Sequence, residues 1–296
     1  KVALKNFVYF KMLNDLLLFF ISLFLFFSIY NNDRLKITPA FSSALLFIIL
    51  MGQTFAQAEY SEIYSLLFIS SAYYLLSSKE LNKTNIFFIS MLLSFSTLVN
   101  QGTVLFIFGF LFYLLLIKQD FLRKNFKILI TGMGLPHLFF LFIYINKDLF
   151  FIYKSTYIEI PLGYTSASLS SVRELVVFLR SYYEYDILTF TTLISLFTIF
   201  TIFIIIKKNS LFTDRFLQFI LINIFISLLF YFVGSHNYYH HLFFLIYFVC
   251  FIPALFQNNN IKFFVFILVL VASFSMNIKT FDKSFNNLIN ANILLE

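Results

Sequence analysis

The chain of 296 residues contains no tryptophan, one cysteine, four prolines and seven glycines, and only 12% of its residues are charged. The single cysteine, Cys250, excludes an intramolecular disulfide and a CxxC metal site. Walker A, dinucleotide-binding, HExxH and GxSxG motifs are also missing. The sequence therefore offers no nucleotide, zinc-peptidase or serine-hydrolase site of a familiar kind.

Apolar residues dominate what remains. They make up 60% of the chain, and the mean hydropathy is +0.89. Both values are far above those of a soluble domain of this length. We therefore expect an all-α, multi-pass protein of the plasma membrane, forming a single transmembrane domain over residues 1–296. The formal net charge of +7 does not point to nucleic acid, because in a membrane protein the distribution of Lys and Arg matters more than their sum.

A helix needs about 20 mostly apolar residues to cross the hydrocarbon core of a bilayer. The sequence predicts a bundle of about ten transmembrane helices. The fourth and fifth, which are separated by Asn100, Gln101 and Gly102, form either two spans or a re-entrant hairpin, and the charge pattern favours two spans. The predicted spans are residues 14–30, 40–57, 63–78, 86–100, 103–117, 128–146, 187–206, 216–234, 242–256 and 262–278.

Basic residues alternate between the connections of these spans. Twelve Lys and Arg residues lie in the first, third, fifth, seventh and ninth connections. The second, fourth and eighth connections contain no Lys or Arg. The positive-inside rule then makes the odd-numbered connections cytoplasmic and the others external. The twelve are Arg34, Lys36, Lys79, Lys83, Lys118, Arg123, Lys124, Lys127, Lys207, Lys208, Arg215 and Lys262.

The same orientation places both chain ends outside. We expect residues 1–14 to be the end of an external loop, and a further span and a first external loop to precede Lys1, because no signal sequence opens the chain.

Residues 147–186 form the longest polar segment and are predicted to be external. Ser171, followed three residues later by Glu174, indicates a capping box that opens an amphipathic helix. Such a helix suits the membrane interface. It either covers an external site or is a surface lid without chemistry.

Acids and amides collect at the predicted external ends of the spans. Glu59 and Glu62 are three residues apart, so a helix places both carboxylates on one face. They either bind a divalent cation or sugar hydroxyls, or are solvated acids at a helix N-terminus. Asn100 and Gln101 occupy the next external turn.

Histidines and tyrosines fill the last external turn. For His236, Tyr238, His240 and His241 a phosphate-binding or interfacial role is favoured over zinc, because no second set of ligands accompanies them. His137, in the sixth span, is expected to be packed with its hydrogen bonds satisfied. The middles of the spans carry no Asp, Glu, Lys or Arg, which argues against an ion-coupled transporter.

Three stretches of the chain combine polar turns with the start of an apolar span. One is GQTFAQAEYSE, beginning at Gly52, which leads into the third span. The second is LLSFSTLVNQGTVLF over residues 92–106, and the third is SHNYYHHLFFLIYFVCFIPALF over residues 235–256. Together they resemble GT-C glycosyltransferases of the protein-mannosyltransferase and aminoarabinose-transferase type. The chain departs from the family at Asn100, where Lys or Arg usually precedes Gln-Thr.

This resemblance implies an enzyme that transfers a sugar from a polyprenyl-phosphate donor to a lipid, glycan or protein acceptor outside the membrane. The family's catalytic acid lies in the first external loop, which is upstream of Lys1, so we expect the sequence as given to be inactive. The alternatives are an O-antigen polymerase or ligase, and a lipid or polysaccharide flippase. Candidate substrate-binding residues are Glu59, Glu62, Asn100, Gln101, Arg173, Arg180, Tyr238, His240 and His241, and Lys154 is a further candidate phosphate contact.

Overall fold

The computed structural model describes residues 2–31, 37–54, 61–78, 81–117, 119–159, 187–206, 214–233 and 242–256. Every regular element in these ranges is a helix, as the apolar runs predict. The helices are α1 (Val2–Tyr30), α2 (Ile37–Thr54), α3 (Ser61–Leu76), α4 (Lys83–Val99), α5 (Val104–Ile117), α6 (Gln119–Asn146), α7 (Phe150–Lys154), α8 (Ile187–Ile206), α9 (Arg215–Val233) and α10 (Phe243–Val249). Short 3-10 turns cover Gln101–Thr103 and Ile252–Phe256, and a π-helical turn covers Ser155–Glu159.

Helices overlap nine of the ten predicted apolar runs, but the ninth run, residues 242–256, contains only the seven-residue α10 and a 3-10 turn. The tenth run, residues 262–278, lies outside the described residues. Within the described part of the chain, two helices are long and apolar enough to cross a membrane, namely Met12–Tyr30 and Gln119–Asn146.

Residues 2–14, which we predict to be the end of an external loop, are helical, and their position outside the membrane stays a prediction. Helix α1 begins at Val2 and continues without interruption into the apolar run. Although Lys5 and Lys11 lower the hydropathy of this segment, it contains no Gly or Pro to stop a helix.

Helices α4 and α6 lie in close contact and run in the same direction. Small side chains permit the approach, since a Cβ built on Gly132 would overlap Ser90 Oγ and lie 2.7 Å from Phe87 O. Interfaces of this kind are common between membrane helices, where hydrophobicity does not drive helices together. Residue numbers rise together along both helices in the contacts of Ser90 with Gly132, Ser94 with Met133 and Thr97 with His137.

Helices α5 and α9 run in opposite directions. A Cβ built on Gly102 would lie 2.7 Å from Phe230 Cε2, and one on Gly109 would lie 2.9 Å from Ile226 Cγ1. Toward the other end of α5, the Tyr113 ring packs edge-on against an earlier residue of α9, Phe219, with centroids 5.7 Å apart. The end of α9 therefore lies beside the start of α5.

These directions give the bundle two different ends. The start of α3, the end of α4 and the start of α5 meet at the polar end, which we define by Ser61, Glu62, Asn100, Gln101 and Thr103. Helices α4, α6 and α9 all begin at the opposite, basic end, which we define by Lys83, Arg123, Lys124, Lys127 and Arg215.

Aromatic rings fill the interior between α3, α5, α9 and α10. Phe106 packs on Phe244 with centroids 5.0 Å apart, and Phe230 packs on Phe244 at 4.7 Å. Deeper in the bundle, the Tyr73 hydroxyl donates to Asn223 Oδ1 at 2.5 Å, which satisfies two buried polar groups together. The core thus joins α3 and α5, whose starts lie at the polar end, to α9 and α10.

Candidate functional site

Glu62 lies in the first turn of α3 and is only 4% exposed. Its Oε1 accepts a hydrogen bond from Asn100 Nδ2 at 2.8 Å, and its Oε2 accepts one from Ser61 Oγ at 3.3 Å. A buried charge is costly unless it is hydrogen-bonded, and the helix N-terminus adds a favourable dipole. The alternative of a solvated acid at a helix end is therefore wrong for Glu62.

Asn100 connects two helices and presents its amide to Glu62. Helix α4 ends at Val99, and Asn100 adopts an extended backbone with φ −141° and ψ 110°. Its Oδ1 accepts from the Gly102 N–H at 3.1 Å, so the opposite side of the amide, Nδ2, is the part that faces Glu62. The oxygen and the nitrogen of the amide are both hydrogen-bonded, and these two bonds fix the orientation of the Asn100 side chain at the break between α4 and α5.

Hydroxyl groups tie the three helix ends together beneath this pair. Ser65 Oγ of α3 donates to Ser96 O of α4 at 3.3 Å, and Ser96 Oγ lies 3.1 Å from Thr103 Oγ1 at the start of α5. Thr103 Oγ1 in turn donates to Asn100 O at 2.7 Å. Ser96 O also accepts the Asn100 N–H at 2.9 Å and Asn100 O accepts the Thr103 N–H at 3.1 Å, so the hydroxyl groups add second bonds to carbonyls at the end of α4.

His137 of α6 adjoins the same end of α4. Its Nε2 lies 2.9 Å from Thr97 Oγ1, in agreement with the expectation of a packed, hydrogen-bonded residue. Its ring meets the Tyr157 ring edge-on, with centroids 6.2 Å apart.

Tyr157 is a member of the cluster that sequence reasoning missed. Its hydroxyl donates to Leu98 O at 3.0 Å, next to the Asn100 turn. Burial raises the pKa of the Tyr157 phenol, and Tyr144 and Tyr153 raise it further, so the hydroxyl keeps its proton at neutral pH. No motif or spacing in the sequence singles Tyr157 out, because its partner is a backbone carbonyl 59 residues away.

The structure brings Glu62 and Asn100 into contact and places Gln101 beside them, at the start of the 3-10 turn. Lys154 instead forms an exposed ion pair with Glu159, with Nζ 2.9 Å from Oε1. The amphipathic helix predicted after Ser171 and the other candidates lie outside the described residues. Those candidates are Glu59, Arg173, Arg180, Tyr238, His240 and His241.

The chemistry of this cluster is that of hydrogen bonding to hydroxyl groups. A carboxylate offers about four lone-pair positions, and the neighbouring amides and phenol supply both donors and acceptors. A carboxylate in this setting also accepts a proton from a hydroxyl group that it contacts. Over the described ranges, no group of three or more His, Cys, Asp or Glu side chains lies close enough to hold a metal ion.

Comparisons of the chain with models of known protein families, with curated proteins and with solved structures give no match.

Proposed function

We propose that the chain is an integral-membrane glycosyltransferase of the GT-C type. It transfers a sugar from a polyprenyl-phosphate donor to a lipid, glycan or protein acceptor on the external side of the plasma membrane. The observation that carries this proposal is the buried Glu62 carboxylate, which the Asn100 amide holds at the end of the bundle opposite the basic residues.

The direction of the helices supports the sidedness of the proposal. The starts of α4, α6 and α9 carry Lys83, Arg123 and Arg215 at one end of the bundle, and the positive-inside rule makes that end cytoplasmic. The polar end then faces outward, together with residues 147–186. The proposed architecture has ten spans, with α4 and α5 as separate crossings rather than a re-entrant hairpin.

Glu62 is proposed to bind a substrate hydroxyl. Asn100 and Ser61 donate to its two oxygens and orient the carboxylate, and we propose that a hydroxyl group of the sugar donates to the same carboxylate. A hydrogen bond to an ionised acceptor is roughly twice as strong as one between neutral groups. Glu62 therefore contributes more to sugar binding than an amide in its place.

The donor phosphate is proposed to bind basic groups of residues 147–186 and of the last external turn. Lys154 can leave its ion pair with Glu159 to bind the phosphate at little cost in free energy, because an exposed ion pair contributes only about 0–1 kcal/mol. Arg173, Arg180 and the histidines His240 and His241 complete the proposed phosphate contacts, with Tyr238 beside them.

The decisive experiment supplies the full-length protein, in proteoliposomes, with a radiolabelled polyprenyl-phosphate sugar. Transfer of label to an acceptor supports the proposal. Translocation of intact sugar-lipid across the bilayer without transfer would instead show a flippase, and joining of whole glycan units would show a polymerase or ligase.

A further inference from the structure

Residues 147–159, which we call the strap, fold back along α6. Asp148 adopts a left-handed backbone with φ 54°, and the Leu149 N–H donates to Tyr144 O at 2.8 Å. This is the Schellman arrangement that ends a helix and reverses the chain, and Asp is among the few residues that tolerate it. The strap then pairs Tyr153 with Tyr144 and Tyr157 with the earlier residue His137, so it runs antiparallel to α6.

The strap ends in a π-helical turn, Ser155–Glu159. Such turns are rare and are frequently found at functional sites. An ion pair between Lys154 and Glu159, five residues apart, spans the wide turn at 2.9 Å. The turn places Tyr157, rather than a neighbour, against the end of α4.

Tyr157 supplies a hydrogen bond where α4 lacks one. The last four carbonyls of a helix have no partner within it. Tyr157 satisfies Leu98 O, two residues before Asn100, and Asn100 holds the Glu62 carboxylate. A chain of direct contacts thus connects the strap to Glu62.

We infer that Tyr157 is a positioning residue for the site at Glu62. Its hydroxyl holds the last turn of α4, so that the Asn100 amide stays on the Glu62 carboxylate when substrate binds. This inference rests on the proposed function for the identity of the substrate, a polyprenyl-phosphate sugar. Tyr157 is not assigned a contact with the reacting atoms.

The chain offers a matched control in Tyr153. Both tyrosines lie in the strap and their rings are in contact at 4.8 Å, but within the described residues the Tyr153 hydroxyl makes no hydrogen bond. Tyr157→Phe and Tyr153→Phe each remove one hydroxyl and keep the ring. Only Tyr157→Phe breaks the bond to Leu98 O.

Hydrogen–deuterium exchange of residues 97–103, read by mass spectrometry in detergent, tests the bond directly. Tyr157→Phe is expected to speed exchange of these amides about fivefold, which corresponds to the net contribution of one hydrogen bond. Tyr153→Phe is expected to leave exchange within about twofold of wild type on the same scale. Equal exchange in the two variants overturns the inference.

Kinetics separate positioning from a general structural role. Since Tyr157 acts through a group that binds substrate, Tyr157→Phe is expected to raise the KM for the sugar donor about fivefold with little change in kcat. A fall in kcat at unchanged KM contradicts the inference. If the wild-type protein transfers no sugar, the proposed function fails, and the exchange comparison still decides whether Tyr157 holds the end of α4.

Discussion

Replacing Gly132 by alanine tests the close packing that brings α4 and α6 into register. A Cβ at this position would overlap Ser90 Oγ and would lie 2.7 Å from Phe87 O, a backbone atom that cannot rotate away. Overpacking of this kind costs about 1–3 kcal/mol. Gly134, two residues further along α6, is the matched control, because a Cβ there would meet nothing within 4 Å.

The control removes the contribution of helix propensity. Alanine is better than glycine in a helix by about 0.8–1 kcal/mol, and this gain is common to both variants. The difference between them therefore isolates the packing cost of about 1–3 kcal/mol. For a domain of similar size, about 1 kcal/mol shifts Tm by about 2–4 °C, so Gly132→Ala is expected to melt at least about 2 °C below Gly134→Ala.

The single cysteine provides the assay. Cys250 is free and 0% exposed in the folded protein, so a thiol-reactive fluorescent dye reports unfolding as temperature rises. Adding Ser90→Ala to Gly132→Ala removes the overlapping hydroxyl but leaves Phe87 O in place, and it should restore part of the loss. If Gly132→Ala proves as stable as Gly134→Ala, the close contact of α4 and α6 is refuted.

Two further predictions follow from the core and from the two ends of the bundle. Tyr73→Phe loses the bond to Asn223 Oδ1 and is expected to destabilise the protein by about 0.6–1.7 kcal/mol in the same dye assay, between the average and the largest value measured for such bonds between membrane helices. Tyr74→Phe, the adjacent control, should change little, and equal losses would show that the Asn223 bond contributes nothing. The orientation is tested with single cysteines, placed in a cysteine-free background and studied in right-side-out vesicles. A membrane-impermeant maleimide should label Ser61→Cys at once and Lys83→Cys only after the vesicles are permeabilised. The reverse order of labelling contradicts the proposed orientation.

The helices were predictable from the sequence because apolar runs and charge patterns are local properties. Runs such as residues 187–206 and 216–234 coincide with α8 and α9 to within a residue. The helical structure of residues 2–14 was not predicted, because the first span was placed on the apolar run of residues 14–30, whereas helix formation before it depends on backbone propensity.

The site was only partly predictable. Glu62, Asn100 and Gln101 were selected because polar groups stand out between apolar runs. Sequence spacing does not show which helix ends meet, so the bond between Glu62 and Asn100, 38 residues apart, could not be foreseen. The same holds for Tyr157, whose role depends on the left-handed turn at Asp148 and on the direction in which the strap folds back.

Sugar transfer by Glu62→Gln in the full-length protein is the most direct test of the central claim, that the buried Glu62 carboxylate binds the transferred substrate. Glutamine keeps the shape and removes the charge, so the loss of a charge-assisted bond of about 1.5–3 kcal/mol should lower kcat/KM at least about tenfold. Asp120→Asn is the control, since Asp120 is an exposed acid at the start of α6, at the basic end, and its loss should leave transfer unchanged. Both variants should be folded at the temperature of the transfer assay, as judged by protection of Cys250 from the dye. Wild-type turnover in Glu62→Gln would contradict the account.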